Sequence, residues 1–348
     1  LPLAPTLGRA VTLKTTIAAV STAGIDVSRF TLDGGNLAAS GRLALRDDWQ
    51  NIDLEMTVDK HALAPWRDLA GVALAGRLRA EASVQGALAD PGVRATVTLD
   101  GVSVEQIGPF SGPVRIGATH LVSAPAGSVS ATLASPAGPV EAGIRFALGQ
   151  FDRLTLDAIQ LTAAGARFDG GLALDLTTGN AAGNIDLVAD DLAALGALAG
   201  LPVLGAATGR LTLADTGGDQ TGTLALSAPL LTLPQADGED VAIKSLELAA
   251  TLSGLTPQPA GTATFTVARV TAGTRVLKDM SLTAAGTPER LTFDFRVYGK
   301  APAPFDLAAS GGLATRIVDA KAGWEVTLDR LTGSAAGYPI ALQGATTA

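Results

Sequence analysis

Residues able to do acid, base or metal chemistry are few in this chain, and they are scattered. Of 348 residues, only His61 and His120 are histidines and none is a cysteine, so thiolate metal sites and disulfides are excluded. Neither histidine has another histidine or a carboxylate beside it at ligand spacing, and surface positions are expected for both. Asp47-Asp48 and Asp190-Asp191 are carboxylate pairs of a kind that can divide acid and base roles. Neighbours on a strand face opposite ways, however, so a turn and a helix cap are the better readings. No nucleophile elbow, phosphate-cradling loop or dinucleotide fingerprint occurs. Gly217-Gly218-Asp219 matches one turn of a calcium-binding nonapeptide, but such sites need stacked copies and it occurs once. Trp49, Trp66 and Trp324 form no stacking platform and read as packing residues. The expectation is a non-enzyme without metal or cofactor.

With chemistry set aside, the apolar pattern carries the information. Apolar residues make up 47% of the chain but aromatic residues only 4%, so the apolar mass is Ala, Leu and Val. Such side chains line a thin sheet more readily than they fill a thick two-layer core. The net charge of −8 and the lack of a basic stripe speak against nucleic acid. The chain opens at Leu1 without an initiator Met or a signal-like run, so it reads as an internal segment of a longer protein. Leu192 to Gly209 is uncharged and long enough to test as a membrane span. Its four internal glycines, Pro202 and the charged Arg67-Asp68 at the matching place upstream argue against one.

A phrase occurs twice. Asn51-Ile52-Asp53-Leu54 returns as Asn184-Ile185-Asp186-Leu187, and Gly76-Arg77-Leu78 as Gly209-Arg210-Leu211, both 133 positions on. The copies span about 51–100 and 184–227. Each reads as an alternating strand, a short Leu/Ala helix ending at glycine (His61 to Ala70, Leu192 to Ala199), and further strands. Ile52, Leu54, Met56 and Val58 alternate with polar residues without exception, the pattern of a sheet with one apolar and one wet face. The same face continues through Leu78, Val84, Val97 and Leu99, then Leu172, Leu174 and Leu176. It goes on through Ile185, Leu187, Leu211, Leu213, Leu224 and Leu226. Leu246, Leu248, Phe293, Phe295, Val326 and Leu328 complete it. Five prolines between Val102 and Gly149 predict short or edge strands and the weakest order there. The expected fold is all-β: one continuous repeat region over 1–348, an elongated sheet curled into an apolar-lined groove, with short helices inserted and no separate globular domain.

The repeated phrase, together with Gly86-Ala87-Leu88-Ala89-Asp90-Pro91 leading into Ala95-Thr96-Val97-Thr98-Leu99, resembles the periplasmic segment of TamB-like proteins. These are inner-membrane subunits of the translocation and assembly module, within the AsmA-like superfamily. Leu328-Asp329-Arg330-Leu331-Thr332-Gly333 and Gly337-Tyr338-Pro339-Ile340-Ala341-Leu342 are similar to its tail phrases. The family's membrane anchor and its outer-membrane-facing domain are not matched. The resemblance implies an open groove, part of an inner-membrane-anchored periplasmic bridge that carries phospholipid acyl chains between the two membranes of a Gram-negative envelope. It implies a link to outer-membrane biogenesis and protein assembly, and a barrel partner of the TamA type reached through other parts of the parent chain. The residue pattern leaves a second reading open, the closed β-solenoid of a secreted adhesin or autotransporter-like protein, in which the same residues form a dry core. A solenoid polysaccharide enzyme is disfavoured, because no cluster of acids or aromatic subsites is visible.

Overall fold

The computed structural model describes residues 11–34, 37–67, 71–105, 107–198, 202–216, 218–235, 239–254, 259–287, 289–300, 303–318, 321–344 and 346–347. It forms two units. The first comprises Leu1–Ala164 with Asp175–Thr177, the second Gly165–Leu174 with Thr178–Ala348.

The first unit is an antiparallel meander. Its strands are β1 (Thr12–Ser21), β2 (Gly24–Asp33), β3 (Ala38–Arg46), β4 (Asn51–Ala62), β5 (Leu74–Ala87), β6 (Gly92–Val104), β7 (Ile107–Thr119), β8 (Ala126–Ser135), β9 (Gly138–Gly149) and β10 (Arg153–Ala163). Each pairs with the next. The second unit repeats the scheme with β11 (Ala166–Asp175), β12 (Ala181–Ala189), β13 (Leu204–Thr216), β14 (Asp219–Leu233), β15 (Val241–Ser253) and β16 (Ala260–Ala272). It continues with β17 (Arg275–Thr287), β18 (Arg290–Lys300), β19 (Pro304–Val318), β20 (Lys321–Ala335), β21 (Tyr338–Ala341) and β22 (Thr346–Thr347). Here β22 joins β20 alongside β21. Tight turns make this meander possible. Ala336-Gly337 has positive φ at both positions (52° and 84°), the geometry whose twist matches that of antiparallel strands.

Alternation alone does not describe the strands. Several contain a phase slip, two apolar residues separated by two outward ones: Val27-Ser28-Arg29-Phe30, Ile243-Lys244-Ser245-Leu246 and Leu277-Lys278-Asp279-Met280. Ser245 and Asp279 have φ of 51° and 48° there. An extra residue in one strand bends it. Buried side chains sit at these bends, Val27 at 8% exposure, Val267 at 2% and Ala228 at 0%, so each bend closes on the apolar side. Apolar residues on both arms of the strand thereby share one concave face.

Two expectations need correction. Between β4 and β5 the strand runs through His61 and Ala62, where a helix is expected to begin, and is followed by a 3-10 turn, Ala64–Trp66, and the helical residue Arg67; residues 68–70 lie outside the described residues. β4 prolongs itself because His61 and Ala62 still have partners, Leu78 and Arg77 of β5. Downstream, helix α1 (Ala193–Leu198) lies within the short helix expected over Leu192 to Ala199. The proline-rich middle does not yield short or edge strands: β7, β8 and β9 have 13, 10 and 12 residues and neighbours on both sides. Pro113 is accommodated by a local gap, since the ladder to β8 has no partners at Gly112 and Pro113 and resumes at Val114.

Candidate functional site

Cross-strand partners share a face, so the registers define two surfaces in each unit. In the first, Leu43 pairs with Leu54, Leu54 with Val84, Ala80 with Val97 and Leu78 with Leu99. Ile52, Met56 and Val58 lie in the same file of β4. In the second unit Leu172 pairs with Gly183 and Leu174 with Ala181, which puts both beside Ile185 and Leu187. Ile185 meets Leu211, Gly183 meets Leu213, Leu211 meets Leu224, Leu226 meets Leu248, and Ala228 meets Leu246. Phe293 reaches Leu328 through Gly311 of β19, Phe295 pairs with Ala309 in the same strand, and Val326 pairs with Leu313. Every expected lining residue but one thus lies in a strand, on a single apolar face of its unit. Leu176 is the exception, exposed (47%) beyond the end of β11.

The face is wider than the sequence reading allowed. Val114 and Ile116 of β7, Val129 of β8, and Ile144 and Phe146 of β9 join it, as do Phe265 and Leu282. Val114, Ile116 and Val129 lie in the stretch whose prolines predict short or edge strands, so their alternation carries less weight in the sequence. The side chains of the face are mostly half-buried. Val267 is the largest side chain that is fully buried, and no leucine, isoleucine or phenylalanine is. Among the described residues, therefore, no second layer covers the apolar face of either unit.

The opposite face is polar and structural. Arg42 grips Glu55 through Nε and Nη2 at 2.8 and 2.6 Å, holding that carboxyl below its ordinary range. Arg210 does the same to Asp186 at 2.5 Å. These charges are on the exposed side, where such pairs add little stability. The two copies of the repeated phrase differ here. Asp186 is opposite Arg210, whereas Asp53 is opposite Gln85 and Arg77 is opposite Ala62. A hollow of about 1070 Å3 also opens on this polar side of the first unit, among Arg29, Arg42, Glu55, Glu81, Arg94 and Arg115.

His120 differs from expectation, because folding supplies the acidic neighbour that sequence spacing lacked. Asp90 Oδ2 lies 2.9 Å from His120 Nδ1 and accepts the Ser123 hydroxyl at 2.7 Å, while Oδ1 accepts the Val122 and Ser123 amides at 3.1 and 3.2 Å. Hydrogen bonds from Ser123 and His120 hold the Asp90 carboxyl well below the usual carboxylate range. The cluster ties the turn before β6 to the turn after β7. The side chain of His61 lies outside the described residues, as do Gly217 and the side chain of Trp324. Asp47 and Asp48 sit in a turn with φ of 55° each, and Asp191 accepts the Ala193 amide at 2.9 Å as the cap of α1. Groups of three or more metal-ligating residues do not occur among the described residues. No described helix is long and apolar enough to cross a membrane.

Comparison with family models, with curated proteins and with solved structures yields no match.

Proposed function

We propose that the apolar face is a path for acyl chains, and that the chain is a segment of a TamB-like conduit carrying phospholipid across the periplasm between inner and outer membranes. The observation that carries this reading is the exposure of the face: contiguous within each unit, concave at the bends, and covered by no second layer among the described residues. Large exposed apolar patches on a protein mark contact with lipid or with another protein. Burying one methylene contributes about 0.8 kcal/mol, so an acyl chain gains at every step along Leu and Val while needing no specific site. Sliding is favoured over capture because the lining is chemically uniform. The inner-membrane-anchored parent and the TamA-type barrel partner belong to the same proposal, and neither nucleic acid nor a cofactor has a place in it.

The solenoid alternative is less well supported. Its coils would stack in parallel around a closed core, whereas every described ladder is antiparallel. Organic extraction of the purified protein followed by lipid mass spectrometry tests the proposal. Phospholipid carried through purification is the expected result; a lipid-free protein would remove its basis.

A further inference from the structure

The outward residues at the phase slips of β14 to β17 fall in register with one another and with the outward Tyr298 of β18. Leu230 is opposite Lys244, Lys244 opposite Arg269, Arg269 opposite Lys278, and Lys278 opposite Tyr298. Three cations on successive strands therefore face one another directly, at a spacing of about 5 Å. Like charges directly opposite are destabilising. Among the described residues none of the three has a hydrogen bond or ion pair to relieve this. Three acids lie in the neighbourhood: Asp279 is the next residue after Lys278, Glu247 follows the bend in β15, and Asp306 is opposite Tyr298. No ion pair links any of them to the row. All three cations are exposed. The row is capped at one end by Leu230, 45% exposed, and at the other by Tyr298, 46% exposed.

The position matters as much as the charge. These residues occupy the outside of the bend, the side away from Ala228 and Val267, and so form a ridge. A ridge of unneutralised cations between an exposed leucine and an exposed tyrosine matches the layering of a phospholipid leaflet: anionic phosphates for the cations, the acyl boundary for Leu230, and the headgroup level for the amphipathic tyrosine. We propose that this ridge docks on an anionic lipid bilayer surface. The chain as a whole carries −8, so attraction to such a surface must be local and oriented, and salt confines it to about 8–10 Å. The inference does not rest on the acyl-chain reading, because the ridge is on the opposite face of the sheet.

The test is sedimentation of the full chain with vesicles of phosphatidylcholine alone and of phosphatidylcholine mixed with phosphatidylglycerol, at low and high salt. Binding is expected to the mixed vesicles only, and to weaken with salt. Each of Lys244→Ser, Arg269→Ser and Lys278→Ser should weaken it roughly fivefold, and the triple variant on the order of a hundredfold. The triple variant should melt no lower than the parent, since it relieves repulsion, and this separates lost docking from lost fold. Leu187→Glu, on the other face, should leave vesicle binding unchanged even where it abolishes lipid co-purification. Undiminished binding by a folded triple variant, or equal binding to neutral vesicles, overturns the proposal.

Discussion

Gln220 completes a ladder for Ala181 across an intervening strand. The pairing of β12 with β13 begins only at Gly183, and β13 in turn pairs Asp215 with Gln220. The Gln220 side chain fills the gap: its Oε1 accepts the Ala181 amide, and its Nε2 donates to the Ala181 carbonyl at 2.8 Å. The Ala214 and Thr221 carbonyls lie 3.1 Å from the same nitrogen. At 7% exposure Gln220 is one of two buried polar residues among the described residues, the other being Asn180 beside it, whose Nδ2 donates to the Gly218 carbonyl at 3.0 Å. A buried amide here replaces backbone that the strands do not supply.

Gln220→Ala should therefore leave the Ala181 amide and carbonyl without their partners, at a cost of about 1–3 kcal/mol. A lower denaturation midpoint with faster hydrogen exchange at Ala181 is expected. Unchanged exchange at that amide would show that the bracket contributes nothing.

Two glutamates on the apolar face should behave differently. Leu187 is half-buried on an uncovered arm of the sheet, so Leu187→Glu can reach water and should melt nearly normally while losing co-purified lipid. Val267 is 2% exposed at the bend, and Val267→Glu should unfold its unit, because an unpaired buried charge costs several kcal/mol. Equal loss of melting temperature in both would place Leu187 in a closed core.

Acid should weaken the contact between the turns flanking β6 and β7. The folded Asp90 carboxyl lies below its unfolded value of about 4, so its contribution is full above that pH and fades as pH falls below it. Asp90→Asn should therefore be less stable than the parent at neutral pH, with the difference shrinking in acid titrations under pH 4. A difference independent of pH would remove ionisation from the account.

Gly183 marks a close approach of two strands. Its φ is 143°, and a Cβ there would run into the Gly171 carbonyl of β11. Gly183→Ala should cost on the order of 1–3 kcal/mol through strain and a parted ladder. Thermal unfolding reads it directly, and a neutral result would mean that β11 and β12 can part at no cost.

The sequence by itself determined the class of structure and the chemistry of its faces. Period-two runs such as Ile52 to Val58 commit one side of a strand to apolar neighbours, and Gly and Pro punctuation cuts the chain into strands short enough to pair in order. Local patterns of this kind are properties of the residues themselves. Register is not. Asp53 and Asp186 sit in the same four-residue phrase, yet one meets a glutamine and the other an arginine, because β4 extends to Ala62 while β12 stops at Ala189 ahead of the Asp191 cap. Residues 30 positions apart, Asp90 and His120, become partners only when β6 and β7 align. The bends, too, were written in pairs such as Lys244-Ser245 and Lys278-Asp279, but that they line up across strands, burying Val267 on one side and raising a row of cations on the other, was decided by the tertiary structure. A phase slip has a direction only relative to the neighbours it is paired with.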